Sequence, residues 1–304
     1  MAIAQRCLAA VIGLIAGTDL VAAQDVATGP RLWETQFQPP VTAVFRYAVW
    51  FGNYTLVIMM AIVLFVTLLL AWVIYRYNEK RNPVPSRLSH NTLVEVLWTV
   101  LPVLILVAIA IPSFRLLYGQ YDPAKIYAGY DATKTPFLTV KVTGSQWYWD
   151  VEYAADDASV ANGVGKPVTF TVTLIPQDQL KSGQLRNLSV DNPMVVPVNT
   201  FVKVQVTATD VIHSFAMPPF GVKMDGVPGR LNETYFNAEK EGIYYGQCSE
   251  LCGKDHAFMP IAIRVVSQDQ FRTWVAAAAT DLPGAYQTLA GLLEADKTKT
   301  VASR

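Results

Sequence analysis

Every position from Tyr47 to Tyr75 is uncharged, and so is every position from Val96 to Phe114. A bilayer offers the backbone no hydrogen bonds, so such runs are viable there only as helices that close their own. About 20 apolar residues, rising 1.5 Å each, cross roughly 30 Å of hydrocarbon. Both runs are long enough. Burial as core helices of a large soluble protein is the competing possibility, and their length and lack of charge speak against it. Trp50, Phe51, Tyr54, Trp72 and Tyr75 lie near the ends of the first run and Trp98 near the start of the second, as interfacial aromatic belts do. Pro102 is expected to bend the second span, which neighbouring helices tolerate.

The connection between the runs carries Arg76, Lys80, Arg81 and Arg87 against one acid, Glu79, which places it in the cytoplasm by the positive-inside rule. Residues 1–23 have the form of a secretory signal: Arg6, a short apolar core from Cys7 to Gly17, then Val21-Ala22-Ala23 before a cut ahead of Gln24. That core is too short to span. The signal puts the new N-terminus outside, and two spans return the chain to the same side. Everything after Arg115 is therefore expected to face the periplasm or its equivalent. A formal net charge of zero over 304 residues argues against nucleic acid as a partner.

Beyond about Pro136 the pattern changes to short alternating runs. In Phe201–Thr209, Val202, Val204, Val206 and Ala208 share one face, while Lys203, Gln205 and the threonines share the other. Similar runs occupy 137–143, 147–153, 168–174, 234–238, 243–247 and 261–266, punctuated by Gly, Pro, Asn and Asp. This predicts a Greek-key sandwich or barrel, closed by a helix over 268–280, with His213 on a loop after the Phe201–Thr209 strand and a peripheral tail after Asp281.

The densest chemistry lies in Cys248-Ser249-Glu250-Leu251-Cys252-Gly253-Lys254-Asp255-His256-Ala257-Phe258-Met259. Of three cysteines, Cys7 falls in the segment expected to be removed, which leaves this pair alone. Structural zinc takes four Cys or His ligands and has no use for a thioether. A blue-copper site takes one Cys, two His and an axial Met, one Cys fewer than the loop supplies. Two thiolates, two imidazoles (His256 and, upstream, His213), a thioether and a backbone carbonyl make six donors, enough for two coppers bridged by sulfur. A Cys248–Cys252 disulfide would leave the Cys-x3-Cys-x3-His-x2-Met spacing unexplained.

The loop, His213, and the run Gln146-Trp147-Tyr148-Trp149-Asp150 resemble subunit II of haem–copper cytochrome c oxidases, over about Trp50 to Val266. The resemblance sharpens the fold class to a two-span transmembrane helical hairpin plus an all-β cupredoxin-like Greek-key barrel. Its expected divisions are a signal peptide 1–23, an outer lead 24–45, two spans within 46–118 joined by a cytoplasmic loop 77–93, a linker 119–135, a copper domain 136–280 and a tail 281–304. It implies a binuclear CuA centre held by His213, Cys248, Cys252, His256, Met259 and the Glu250 carbonyl. The Glu250 carboxylate would bind a magnesium ion shared with the catalytic subunit.

Trp147 matches the residue where electrons enter the family's copper domain; alternation alone does not choose among the clustered rings, which are more often core. Of the nearby acids Asp150, Glu152, Asp156, Asp157, Asp191 and Asp210, the resemblance points to Glu152 and Asp191 for docking cytochrome c, against the ordinary alternative of a solvated face. Glu95, at the cytoplasmic start of the second span, matches the mouth of a proton path; an anchor reaching for headgroup water is the alternative.

Implied partners are the haem-bearing subunit I, subunit III, cytochrome c and membrane lipid, in a bacterial inner membrane with the copper domain in the periplasm. The chain itself has no haem-attachment Cys-x2-Cys-His. Quinol oxidase subunits lack the copper ligands, and nitrous oxide reductase is soluble with a further domain. A membrane-tethered copper-binding protein would not need Trp147, Glu95 or a bridging pair. A nitric oxide reductase carrying the same module is compatible with these residues.

Overall fold

The computed structural model describes residues 29–302 apart from 32, 132, 136 and 157–162. The expected signal segment 1–23 with Cys7, its cleavage ahead of Gln24, and Asp157 lie outside the described residues.

Two long helices come first, α1 (Ala43–Arg76) and α2 (Thr92–Gly119). The Thr42 hydroxyl caps α1 by accepting the Phe45 N–H at 3.1 Å, and the Asn91 side chain caps α2 by accepting from Leu93 and Val94. Tyr54 Oη donates across the hairpin to the Ala108 carbonyl at 3.2 Å, and Tyr47 Oη to that of Pro112 at 3.4 Å. The apolar side chains of both helices face away from the chain: Leu64 is 60% and Leu106 65% exposed. A core helix of a soluble protein would show the reverse, so lipid or partner chains must cover these faces.

Ten strands follow among the described residues. One sheet has the order β3 (Val168–Val172), β2 (Tyr148–Tyr153), β1 (Leu138–Ser145), β5 (Phe201–Ala208), β8 (Asn232–Asn237). The other runs β4 (Met194–Pro197), β10 (Pro260–Val266), β9 (Gly242–Cys248), β6 (His213–Met217), β7 (Val222–Gly226). The β1–β5 and β4–β10 pairs are parallel and the remaining neighbours antiparallel, so the chain crosses between sheets in a cupredoxin-like β-barrel. The alternation in β5 does what its sequence predicts: Val202, Val204 and Val206 are fully buried. Each such side chain contributes roughly 1.5–3 kcal/mol of transfer free energy. Ser267 and Gln270 form a capping box that starts α3 (Gln268–Ala278).

The barrel is fixed to the outer ends of the helices. The Val41 N–H donates to Pro219 O and the Glu239 N–H to Val41 O, both at 3.0 Å. Buried Thr42 donates its hydroxyl to Phe220 O at 2.8 Å, and the Arg46 guanidinium grips the Glu239 carboxylate as a fork. Tyr235 Oη donates to the last carbonyl of α2, that of Gly119. Around it Tyr127, Tyr130, Phe137 and Phe201 pack mostly edge to face, with Tyr130 tilted against Phe201.

Three strands, β4, β6 and β7, lie where the sequence predicts none, and His213 is the first residue of β6 rather than part of a loop after β5. For β4 and β6 the cause is burial on both faces: all five residues of β6 and all four of β4 are buried, so neither alternates, while β7 buries only its two ends and shows no period of two. The tail also differs from expectation. It contains α4 (Leu282–Ala302), which packs Ala285 and Leu289 into the barrel's core. Tyr286 Oη donates to Pro193 O at 2.8 Å, and Gln270 Nε2 to Asp296 Oδ2 at 2.7 Å.

Candidate metal centre

The six donors expected from the sequence converge at one end of the barrel. β9 ends on Cys248 and β10 begins at Pro260, one residue past Met259, so the donor-rich loop joins two antiparallel neighbours. β6 pairs with β9 through Phe215 and Cys248, which brings His213 alongside. Cys248 Sγ lies 3.9 Å from Cys252 Sγ, 3.9 Å from His213 Nδ1 and 3.4 Å from the Glu250 carbonyl. Cys252 Sγ lies 3.4 Å from His256 Nδ1 and 3.5 Å from Met259 Sδ. Both thiols are free in this structure, their sulfurs 3.9 Å apart and not joined as a disulfide. Burial, with the Cys248 thiol beside it, pushes the Cys252 thiol up to about 12. Without metal the loop is a dithiol, and a metal must displace its protons to bind.

Cys248 sits among a nitrogen, a carbonyl and a thiol, and Cys252 among a nitrogen, a thioether and a thiol, all donors that copper takes, and the two thiols adjoin each other. His213 is fully buried, and its orientation is set from behind. Its Nε2 lies 2.9 Å from Asp210 Oδ1; a hydrogen on Nε2 donates there and leaves the Nδ1 lone pair to the thiols. Asp210 also accepts from the Val211 N–H at 2.7 Å and the Gln146 N–H at 2.8 Å. Burial opposes its ionisation, but these bonds outweigh it and hold the carboxyl below its usual range. A Cβ at Gly144 would stand 2.9 Å from the His213 ring, so only glycine admits the imidazole there.

The family model for the cytochrome c oxidase subunit II periplasmic domain matches residues 138–266, and that for the subunit II transmembrane domain matches 30–116. The chain belongs to the cytochrome c oxidase subunit II family. The probable cytochrome c oxidase subunit 2 of Rickettsia felis is 46% identical over 259 residues, 84% of this chain and 76% of that protein. The cytochrome c oxidase subunit 2 of Cereibacter sphaeroides is 42% identical over 280 residues, covering 88% and 89%. Among solved structures, the periplasmic domain of cytochrome oxidase subunit II of Bradyrhizobium japonicum is 57% identical over 46% of this chain and 92% of that one, with a TM-score of 0.40. As a subunit II, the protein is part of an oxidoreductase complex and joins a membrane hairpin to a periplasmic-type β-domain.

Other residues singled out for a subunit II role are placed as follows. Trp147 follows β1 at the turn into β2, half-buried, with its Nε1 donating to Cys252 O at 3.3 Å. Trp149 points inward, 1% exposed, donates to Met259 O at 3.2 Å and meets His213 edge-on. Glu250 leaves its carboxylate exposed beside the loop. Glu152 lies 3.8 Å from Lys141, and Asp191 accepts from the Thr173 N–H, the Thr173 hydroxyl and the Asn192 N–H. Glu95 sits in the first turn of α2 at the other end of the hairpin, where its carboxylate accepts the Asn91 N–H at 3.2 Å.

Two contributors escaped the sequence reading. Gln146 ties the β1–β2 turn to both halves of the site: its backbone N–H reaches Asp210, and its Nε2 donates to Cys252 O at 2.7 Å. Asp210, in sequence one more acid near the Trp147 surface, braces a ligand candidate, and the Asp-x2-His spacing is the signal that could find it. Gly253 holds φ +126°, and a Cβ there would meet Trp147 at 2.9 Å. Gly253→Ala is expected to displace that ring and lower the domain's stability by about 1–3 kcal/mol. A urea midpoint and a tryptophan emission spectrum both identical to wild type would contradict this seating.

Proposed function

We propose that this chain is the electron-accepting subunit of a cytochrome c oxidase in a bacterial inner membrane, with its barrel in the periplasm. A binuclear copper centre, held by Cys248, Cys252, His213, His256, Met259 and the Glu250 carbonyl, would supply reversible one-electron transfer between cytochrome c and haem in the catalytic subunit. The observation that carries this reading is the unbroken series of six donors, two free thiols and the four groups around them, linked at 3.4–3.9 Å.

The protein's own residues have separate tasks. The two sheets hold the donors on rigid strand ends, so the ligands move little between redox states. Asp210 orients His213, and Trp149 holds the Met259 backbone. Trp147 provides a ring at the surface whose N–H touches the carbonyl of a ligand residue, a short route inward. Glu152 and Asp191 would steer a cationic cytochrome c, although Lys141 beside Glu152 offsets part of that charge. The Glu250 carboxylate is free to hold magnesium at the contact with the haem-bearing subunit I, beside which subunit III would complete the complex. The test is copper counted in the assembled complex: two per chain with a mixed-valence signal. One copper, or zinc instead, would end the reading.

Glu95 would load protons into the partner subunit from the cytoplasmic side. Its bond to the Asn91 N–H makes two roles separable, because glutamine preserves an acceptor for the helix cap and loses the titrating group. Glu95→Gln and Glu95→Ala are expected to lower turnover per assembled complex at least about tenfold, with Asp recovering much of it. Copper absorbance should stay unchanged throughout. Full turnover with glutamine would leave Glu95 an anchor.

A further inference from the structure

Gly253 lies against the edge of the Trp147 ring, and the next residue puts a charge over that ring's face. Lys254 Nζ stands 5.6 Å from the ring centroid. Its side chain is 78% exposed, and its nearest acid, Asp255, lies 3.9 Å away. A solvated cation–π contact is weak, so the ammonium swings aside readily, but its tether to the metal loop keeps the charge at this spot. The other lysine–acid pairs of the barrel lie elsewhere: Lys141 with Glu152 along β1 and β2, and Lys223 with Asp225 along β7. Asp210, the acid nearest the turn, already spends both oxygens on His213, Val211 and Gln146. Any donor that closes on Trp147 therefore meets the Lys254 ammonium, which the exposed Asp255 pair offsets only in part.

We propose that Lys254 is a specificity-determining residue of the electron-accepting face. It selects against donors that carry a lysine directly at the haem edge and favours a c-type cytochrome whose haem edge is uncharged, with the positive charges that Glu152 and Asp191 would steer lying around that edge. The inference rests on Trp147 being where electrons enter. The physical basis is encounter electrostatics: a like charge at contact distance slows association when salt is low, and screening over a Debye length of ~10 Å at 0.1 M removes the effect.

The experiment uses the assembled oxidase and two probes, a net-positive and a net-negative ferrous c-type cytochrome, mixed in stopped flow across a salt series. Lys254→Met removes the charge and keeps the length of the side chain. It is expected to raise the second-order rate with the net-positive probe roughly three- to tenfold at ~10 mM salt and to lower it with the net-negative probe. Both differences should close above ~0.3 M. The absorption of the metal centre should not change. Lys240→Met makes the same charge change on an exposed lysine at the far end of β9, beside the Glu239–Val41 contact, and should leave both rates within about twofold. Unchanged rates for Lys254→Met, or an equal change for Lys240→Met, would overturn the proposal. Trp147→Gln, run in parallel, separates the two ideas. If it transfers slowly while Lys254→Met is silent, only the Lys254 proposal falls; if it transfers at the wild-type rate, the Trp147 assignment falls.

Discussion

Cys252→Ser is expected to empty the metal centre rather than halve it. Cys252 Sγ stands within 3.9 Å of Cys248 Sγ, His256 Nδ1 and Met259 Sδ, so three of the other donors depend on it to close around metal. A serine hydroxyl is a harder donor and stays protonated at neutral pH, so neither a thiolate charge nor a soft bridge remains. Copper should fall from two per chain to less than one, and electron uptake from cytochrome c by the assembled complex should fall at least ~100-fold. The barrel should survive, because the change is nearly isosteric at a position that is 3% exposed. Far-ultraviolet circular dichroism checks the fold, and metal counting with visible absorption checks the site. Retention of two coppers would mean that Cys252 is no bridge. Since the Cys252 thiol stands near 12 when unmetallated, copper loading of the wild-type apoprotein should also weaken as pH falls.

Trp147→Gln is the second large effect. The ring is half-buried, its Nε1 bonds to Cys252 O at 3.3 Å, and Gly253 rests against its edge. Glutamine retains a donor able to reach that carbonyl and removes the π system. Electron uptake should drop by about two orders of magnitude, while the dissociation constant for cytochrome c moves less than about threefold, since charges around the ring rather than the half-buried ring itself steer and hold the donor. Copper content should stay at two. Trp147→Phe keeps a ring without the N–H and is expected to fall between. A variant that binds weakly yet transfers at the wild-type rate would assign Trp147 to docking instead.

Several features follow from sequence with little help. Two runs without charge dictate a hairpin because the bilayer admits no other open form, and α1 and α2 occupy them. Val202, Val204 and Val206 alternate because a half-buried strand has a period of two, and all three are in the core. Five of the six donors are legible because Cys, His and Met within twelve residues have few other common uses, and His213 is one of only two further histidines.

What sequence could not supply depended on residues far apart in the chain meeting. β4 and β6 are buried on both faces, so no alternation marks them, and His213 therefore looked like a loop residue. Helix α4 is stabilised by a groove that exists only once β4 and α3 are in place, as the Tyr286–Pro193 and Gln270–Asp296 bonds show. Asp210 is an ordinary surface acid in the sequence; what singles it out is a buried imidazole held 2.9 Å away by the pairing of β6 with β7 and β9. Gln146 reaches Cys252 across 106 positions of chain, and only closure of the barrel brings the two together. The sequence by itself determined which atoms are chemically able to bind metal, because donor type is a property of the residue. Tertiary structure decided which groups orient them and where a donor's charge is felt, because those properties belong to distances.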